Sequence, residues 1–557
     1  LVLNGEIYDF RRHRERLEKE GRSFRTRSDA EVLLALWEDR GPETLREVVG
    51  TYAFALLDRR RGELLLARDG GGKKPLHFAR VPGAFAFASE LRALEALPGF
   101  RREVDPAALR EYLSLGYVPA PATIYAQARK LTPGNLLRVI GEAQESATEP
   151  ISPPDGPPPG GEEGRLEGVL RDAVGLRLAA DEPVGIFLSG GIDSSLVAAL
   201  AAESGSGRLR TFSLALPGST LDESARARRI AEALGADHEE EALRSTDLEE
   251  WVDRLPDLLD EPLADSSLLP TAALARAARR SVKAVLTGEG GDELFGGYDR
   301  YRGMRLLARV ASLPPGLRRA AASALEKGSR LLPAPAAGSR SRAERFAEAI
   351  RSPREAGAYR SLVGLFPPAE VDALLGSPGG AEGTLARAYE EGGGEDAAER
   401  AMRADLRTYL VDDLLAKVDR GTMAYGLEAR CPLLDARVVA LASALPLSAK
   451  LRGRRSKICL RALLARRFPA AWFAGRKRGF AIPLAGWMGR LLGRGGSLDP
   501  AGLAGGGWLR REAPEVIGRW VGEFRAGRAD RAARLWALLA LARWRERTGA
   551  FLREARG

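Results

Sequence analysis

Within the seven residues Ser189-Gly190-Gly191-Ile192-Asp193-Ser194-Ser195 the chain gathers two adjacent glycines, three hydroxyls and a carboxylate. The apolar run Val184–Leu188 ahead of them reads as a buried parallel strand, and Leu196–Ala202 as the helix behind. Glycines let backbone N–H groups approach phosphate oxygens, and Asp193 adds a metal ligand to that cradle. The loop is not a Walker A motif, because no lysine follows the second glycine where that loop needs one. It is not the dinucleotide fingerprint either, because its glycines are adjacent. Read locally, the same residues also make a tight strand-to-helix turn.

A second acidic loop, Gly288-Glu289-Gly290-Gly291-Asp292-Glu293, follows the apolar run Val282–Leu286. Acids at the C-terminal end of a strand sit where open α/β sheets bind ligands. Asp193 and Asp292 can therefore share a Mg²⁺, a hard cation that takes one or two carboxylates together with phosphate oxygens. Alone, this loop also reads as a Gly-rich turn with solvated acids. Two basic elements come later: Lys457 at the head of a helix, and the turn Gly475-Arg476-Lys477-Arg478-Gly479. A cation near a scissile phosphate stabilises charge that develops in the transition state, and solvated surface charge is the alternative reading for each.

The elements that must position these residues fall into two blocks. Residues 1–148 alternate short β-type runs (Tyr52–Leu57, Glu63–Ala67, Gly83–Ala88) with turns and a helix over Ala30–Glu38, an α+β pattern. Residues 149–162 are rich in Pro and Gly and read as a linker, with a helix opening near Glu163. From 163 onward β-type runs at Val184–Leu188, Leu209–Leu216 and Val282–Leu286 alternate with longer helical patterns, which predicts a parallel sheet covered by helices. After Tyr301 the pattern is almost wholly helical, with loops expected at Pro333–Gly338, Gly376–Gly383 and Gly392–Gly394.

At 557 residues the chain is too long for one core. Its net charge of +10 invites a nucleic-acid reading, but the 85 basic and 75 acidic residues are intermixed and no block of like charge marks a binding stripe. Cys431 and Cys459 make neither a disulfide framework nor a CxxC metal pair, and His13, His77 and His238 are too scattered for a transition-metal site. With no apolar run of membrane-spanning length and no signal peptide, a cytoplasmic protein is expected.

The SGGxDS loop resembles the pyrophosphate loop of ATP pyrophosphatases. Together with Asp260-Glu-Pro-Leu-Ala-Asp-Ser-Ser267, Gly288–Glu293, Lys417-Val-Asp-Arg420, Leu427-Glu-Ala-Arg430, Pro432-Leu-Leu-Asp435 and Lys477-Arg-Gly-Phe480 it stands in the order of the glutamine-hydrolysing asparagine synthetases. The resemblance spans nearly the whole chain. It implies an ATP site at Leu188, Ser189, Gly190, Gly191, Asp193, Ser194, Leu214, Thr287 and Gly288, with Mg²⁺ on Asp193 and Asp292. Lys457 or Lys477 would neutralise phosphate charge, and Glu289 would assist ammonia attack on an acyl-adenylate of aspartate. Lys457 is favoured of the two lysines, because a helix start holds it more rigidly than a turn.

For the first block the resemblance implies an incomplete, Ntn-hydrolase-like glutaminase domain. Asn4 and Gly5 would supply oxyanion donors, while Glu6 and Asp29 would hold the glutamine head group. As a bare dipeptide, Asn4-Gly5 reads as a hairpin turn. The family's nucleophile is an N-terminal cysteine; this sequence opens on Leu1, so a preceding segment carrying that cysteine is expected, and the chain as it stands is expected not to hydrolyse glutamine. Extra glycines in Arg68–Pro75 predict a looser loop than the family's, and Cys431 replaces a usual apolar residue. The expected partners are aspartate and glutamine or ammonia, with no nucleic acid or membrane; a homodimer is compatible with the resemblance. The rival readings are an amidotransferase acting on a peptide or polysaccharide-precursor carboxylate, an ATP-dependent nucleic-acid-modifying protein, and a non-catalytic scaffold. Glu289 argues against the lactam-forming relatives, which usually carry tyrosine there.

Overall fold

A computed structural model of the chain describes residues 1–140, 147–151, 162–205, 207–330, 337–376, 383–473, 482–493, 500–503 and 508–549. In the first block β1 (Val2–Ile7), β2 (Gly50–Asp58), β3 (Glu63–Arg68), β7 (Asn135–Ile140) and β8 (Ala147–Pro150) form one antiparallel sheet in the order β1-β2-β3-β7-β8. A smaller antiparallel sheet has the order β5-β4-β6, from β4 (His77–Val81), β5 (Ala84–Ala88) and β6 (Ala128–Lys130). The Asp29–Arg40 helix opens on Ser28, whose hydroxyl accepts from the Ala30 N–H, and packs Val32, Leu33 and Leu36 against the larger sheet. Asn4 and Gly5 lie inside β1, paired with Ala53 and Tyr52, so this dipeptide is extended strand and not a hairpin turn. The first residues of the expected linker, Glu149 and Pro150, pair with Leu136 and Asn135 and close the sheet. Residues 152–161 lie outside the described part, and the next helix begins at Glu162.

The second block is built on a five-stranded parallel sheet in the order β11-β10-β9-β12-β13. Its strands are β9 (Val184–Phe187), β10 (Arg210–Ala215), β11 (Asp237–Ala242), β12 (Ala284–Leu286) and β13 (Glu428–Arg430). Two of these escape the periodicity. The acids of β11 lie outside the expected β-type runs, and the three residues of β13 lie in a stretch expected to be helical. Both are outer strands of the sheet. A glycine is required inside β9: a Cβ on Gly185 would stand 2.6 Å from the Phe212 ring. The sheet is covered by a core that includes Ile186, Leu196, Leu200, Ile230 and Leu286. A larger core unites the helical C-terminal part with residues of the first block, among them Tyr112, Tyr125, Trp251, Trp536 and Trp544. Of the expected helical interruptions, Gly392–Gly394 separates the Thr384–Glu391 and Ala397–Arg407 helices. The other two fall largely outside the described residues, as does the basic turn with Lys477.

The Arg68–Pro75 segment is not loose. Arg68, Asp69, Lys73 and Lys74 are buried, and the Arg68 guanidinium donates to the carbonyls of Lys74, Leu131 and Gly72 at 2.8, 2.7 and 2.9 Å. Gly72, at φ +66°, lies where a Cβ would come 2.6 Å from Pro133. Gly72 serves close packing at the junction of the two blocks, where the same Cβ would come 3.1 Å from Val411.

Candidate active site

Strand order decides where the site falls. β9 lies between β10 and β12, so successive connections leave it towards opposite sides of the sheet, and the loops after β9 and β12 flank the crevice at this switch point. After β9 the Ile192–Glu203 helix starts at once. Gly190 takes φ +73°, and Ser189 and Ser194 tie the loop together, hydroxyl to hydroxyl at 3.0 Å. After β12, Gly290 turns at φ +89° and a Cβ on it would stand 2.3 Å from Leu434. The two loops touch so closely that a Cβ on Gly288 would be 2.8 Å from the Ser194 nitrogen, and one on Gly291 2.5 Å from the Asp193 carboxylate carbon.

Between them opens a cavity of about 1090 Å³. Leu188, Ser189, Gly191, Asp193, Ser194, Thr287, Gly288, Glu289, Asp292 and Lys457 all line it, so residues up to 269 positions apart converge on one space. Leu214 is set in a small recess alongside, which shares Leu188, Ser189 and Ser213 with the main cavity. Gly190 turns its back to the Ser224–Ala233 helix, where a Cβ would meet the Ala227 nitrogen at 3.0 Å.

Lys457 is the N-cap of the Ile458–Ala465 helix and holds φ +53°, a left-handed backbone rare for a side chain of this kind. Its ammonium bridges the carboxylates of Asp193 and, at 2.6 Å, Asp292. Asp193 Oδ1 is buried and accepts no hydrogen bond. Two converging carboxylates, one with an unused buried oxygen, fit a hard divalent cation that completes its shell on phosphate. Among the described residues no group of three or more His, Cys, Asp or Glu side chains forms a fuller metal site.

In the same cavity, Lys417 stands 3.5 Å from Asp265, and both line it with Glu289. Burial alone would lower the Lys417 pKa; Asp265 and then Glu289 hold it above the ordinary range. Burial lifts the Glu293 carboxyl to about 7, and the Tyr298 hydroxyl donates to it at 2.7 Å. In the sequence, Asp265 and Lys417 stand out only as parts of longer motifs. Their pairing beside Glu289 had no local signal, because 152 residues separate them.

Several other motif residues hold the two blocks together. The Asp260 carboxylate accepts from the Arg92 N–H and, at 2.8 Å, from Arg420. Lys73 pairs with Asp419 at 3.0 Å and Lys74 with Glu428 at 3.0 Å, whereas the Arg177–Asp435 pair, at 2.9 Å, lies within the second block. Cys431 is buried in the sheet's core, its Sγ 3.3 Å from the Thr287 hydroxyl.

In the first block, the Asn4 amide donates to the Ser89 hydroxyl at 2.9 Å, and Asp29 accepts from the Ile7 N–H at 2.9 Å. Gly5, at φ +141°, leaves no room for a Cβ, which would lie 2.1 Å from the Thr51 carbonyl oxygen. Glu6 accepts from Arg430 of the other block through Oε1, while its buried Oε2 has no hydrogen-bond partner. Burial raises the Glu6 pKa and Arg430 opposes the shift.

Comparison with known proteins agrees with this arrangement. Residues 165–546 match the family model described as asparagine synthase, and residues 1–149 the one described as a glutamine amidotransferase domain. A Mycobacterium tuberculosis H37Rv protein named "Putative asparagine synthetase (glutamine-hydrolyzing)" is 36% identical over 98% of this chain and 84% of its own length. "Asparagine synthetase (glutamine-hydrolyzing) 1" of Bacillus subtilis is 30% identical over 88% of this chain and 76% of its own. "Amidase chry2" of Gibberella zeae is 33% identical over 54% of this chain and 47% of its own.

Proposed function

The chain belongs to the asparagine synthase family, and from that premise we propose that it converts aspartate to asparagine in the cytoplasm through a β-aspartyl-AMP intermediate. Family membership carries the coarse activity, an ATP-dependent amidation fed by glutamine nitrogen. The observation supporting the finer reading is the convergence of Asp193, Asp292, Lys457 and Glu289 on one cavity that also holds the carboxylate–ammonium pair Asp265–Lys417. The division proposed is an Ntn-hydrolase-like glutaminase domain before the stretch that follows β8, and a synthetase domain from the Glu162–Leu178 helix onward.

ATP would lie with its phosphates over Ser189–Ser194 and its base towards Leu188 and Leu214. An aspartate side-chain oxygen bonds to the α-phosphorus, the bond from that phosphorus to the bridging oxygen breaks, and pyrophosphate leaves. Asp193 and Asp292 would hold Mg²⁺, which supplies charge neutralisation to the phosphates when bound. Lys457 stabilises negative charge on the departing group from a rigid helix start. Ammonia then bonds to the acyl carbon, AMP departs with its electron pair, and Glu289 takes the proton released by the attacking nitrogen. Lys417 and Asp265 are placed to bind the carboxylate and ammonium of the amino acid, with Lys417 kept charged by its acidic neighbours.

The test is pyrophosphate release and amide formation with Mg-ATP, ammonium and a panel of carboxylates. Asparagine from aspartate is expected. Turnover of another carboxylate with none of aspartate would replace this substrate by that one.

A further inference from the structure

Away from the catalytic cavity, a second cavity of about 350 Å³ lies against the Glu355–Val363 helix. Four of its lining residues are arginines (Arg345, Arg351, Arg360 and Arg534), and Glu348 is the acid among them. Three of the arginines are partly engaged. Arg351 pairs with Glu326, Arg360 donates to the Ser114 hydroxyl at 2.9 Å, and Arg534 pairs with Glu370 at 3.0 Å. Arg345 is different: half-buried, it meets no hydrogen-bond or ion-pair partner among the described residues. Burial and then its neighbour Arg342 push its pKa down, with Asp530 opposing. Glu348 does not resolve this, since among the described residues it makes no ion pair, and burial raises its own pKa against the pull of Arg360, Arg534 and Arg351.

We propose that this cavity is a binding site for a compact, multiply charged oxyanion, a phosphate ester or polycarboxylate, held chiefly by Arg345 and Arg360. A guanidinium is a planar fork that pairs two oxygens at once, and a half-buried one without a partner is satisfied by such a ligand. The volume lies at the small end of ordinary ligand pockets, which limits the ligand to a small metabolite. The site is separate from the catalytic cavity and is joined to it only through a relay of side chains. Tyr359, beside Arg360, donates to Asp405, which also holds Arg300 against the rings of Tyr298 and Tyr409 on the catalytic wall.

Hydrogen–deuterium exchange of the full chain, with inorganic phosphate or citrate against chloride at equal ionic strength, tests the assignment. One or both anions slow exchange in segment 345–368, and the anion that does so identifies phosphate or carboxylate chemistry. In Arg345→Met the anion concentration for half-protection rises about tenfold or more, as expected for loss of a charge-assisted contact. Because Arg345 has no hydrogen-bond or ion-pair partner to lose among the described residues, the unfolding midpoint in chloride stays unchanged. Protection absent with both anions overturns the proposal. Protection that is the same in Arg345→Met also overturns it, since that result would come from the anion in the catalytic cavity acting through the Tyr359–Asp405–Arg300 contacts.

Discussion

Lys457 shows how one side chain carries several constraints. It accepts a left-handed backbone, starts a helix, is almost wholly buried, and sets its ammonium between two acids. A non-glycine residue is held in such a conformation only when its surroundings over-determine it, and such positions cluster at functional sites. Replacing Lys457 by Ala is expected to lower kcat for pyrophosphate release by about 10² or more, the usual consequence of losing one preorganised charge-stabilising group. Lys283, an exposed lysine paired with Glu182, is the control, and its Ala variant keeps full rate. Equal rates in the two variants would remove Lys457 from the chemistry. Lys477, the other lysine singled out by resemblance, lies outside the described residues.

At the scale of elements, the glycines of the two strand-end loops, and Gly297 in the loop after the Gly291–Phe295 helix, set how near those loops and their side chains come. A Cβ on Gly297 would fall 1.7 Å from Asp292 Oδ1 and 2.3 Å from Lys457 Cε, so no side chain fits without displacing both. Gly297→Ala is therefore expected to cost about 10² or more in kcat, since a shift near 1 Å in reacting groups has that effect. Gly168, in the Glu162–Leu178 helix, has nothing within 4 Å of its would-be Cβ. Gly168→Ala keeps its activity and gains a little stability from better helix propensity. Steady-state pyrophosphate release and thermal unfolding of both variants check the contrast. An active Gly297→Ala would mean that these loops are far more pliant than their contacts imply.

For the whole molecule, the junction between the two blocks is where buried charge concentrates. Lys73 and Asp419 pair with side-chain exposures of 1% and 9%. Burial would lower the Lys73 pKa, and Asp419 together with Cys431 and Glu428 more than reverses it; burial would raise that of Asp419, and Lys73 together with Lys74 and Arg420 holds it below the usual carboxylate range. Removing one partner leaves the other charged in a dry site, so Lys73→Met is expected to lower stability by about 3–5 kcal/mol. The double variant Lys73→Met/Asp419→Leu recovers most of that loss, because an apolar pair of similar volume costs little. Denaturant unfolding of the single and double variants measures the coupling. A double variant no better than the single would mean that the pair contributes no coupling energy across the junction.

Sequence by itself determined the elements whose signal is local. The strands at Val184, Arg210 and Ala284, the helix after Ser28, and the two Gly-rich loops at strand ends follow from hydrophobic period, capping and turn chemistry within a few residues. Motif order and the family resemblance also singled out Asp193, Asp292, Glu289 and Lys457, four residues that line one cavity. Only the tertiary structure decided which distant residues meet. It set Lys457 between the two acids, paired Lys417 with Asp265 beside Glu289, and gave Arg430 to Glu6. It turned the glycine-rich segment at Arg68–Pro75 from an expected loose loop into a packed wedge at the domain junction. The three residues of β13 joined the sheet by pairing with β12, more than 140 positions away in the chain. The reason is common to all of these. Periodicity and turn residues report the energy of a chain segment with itself, whereas ion pairs and outer-strand pairing depend on the packing of segments that sequence leaves unrelated.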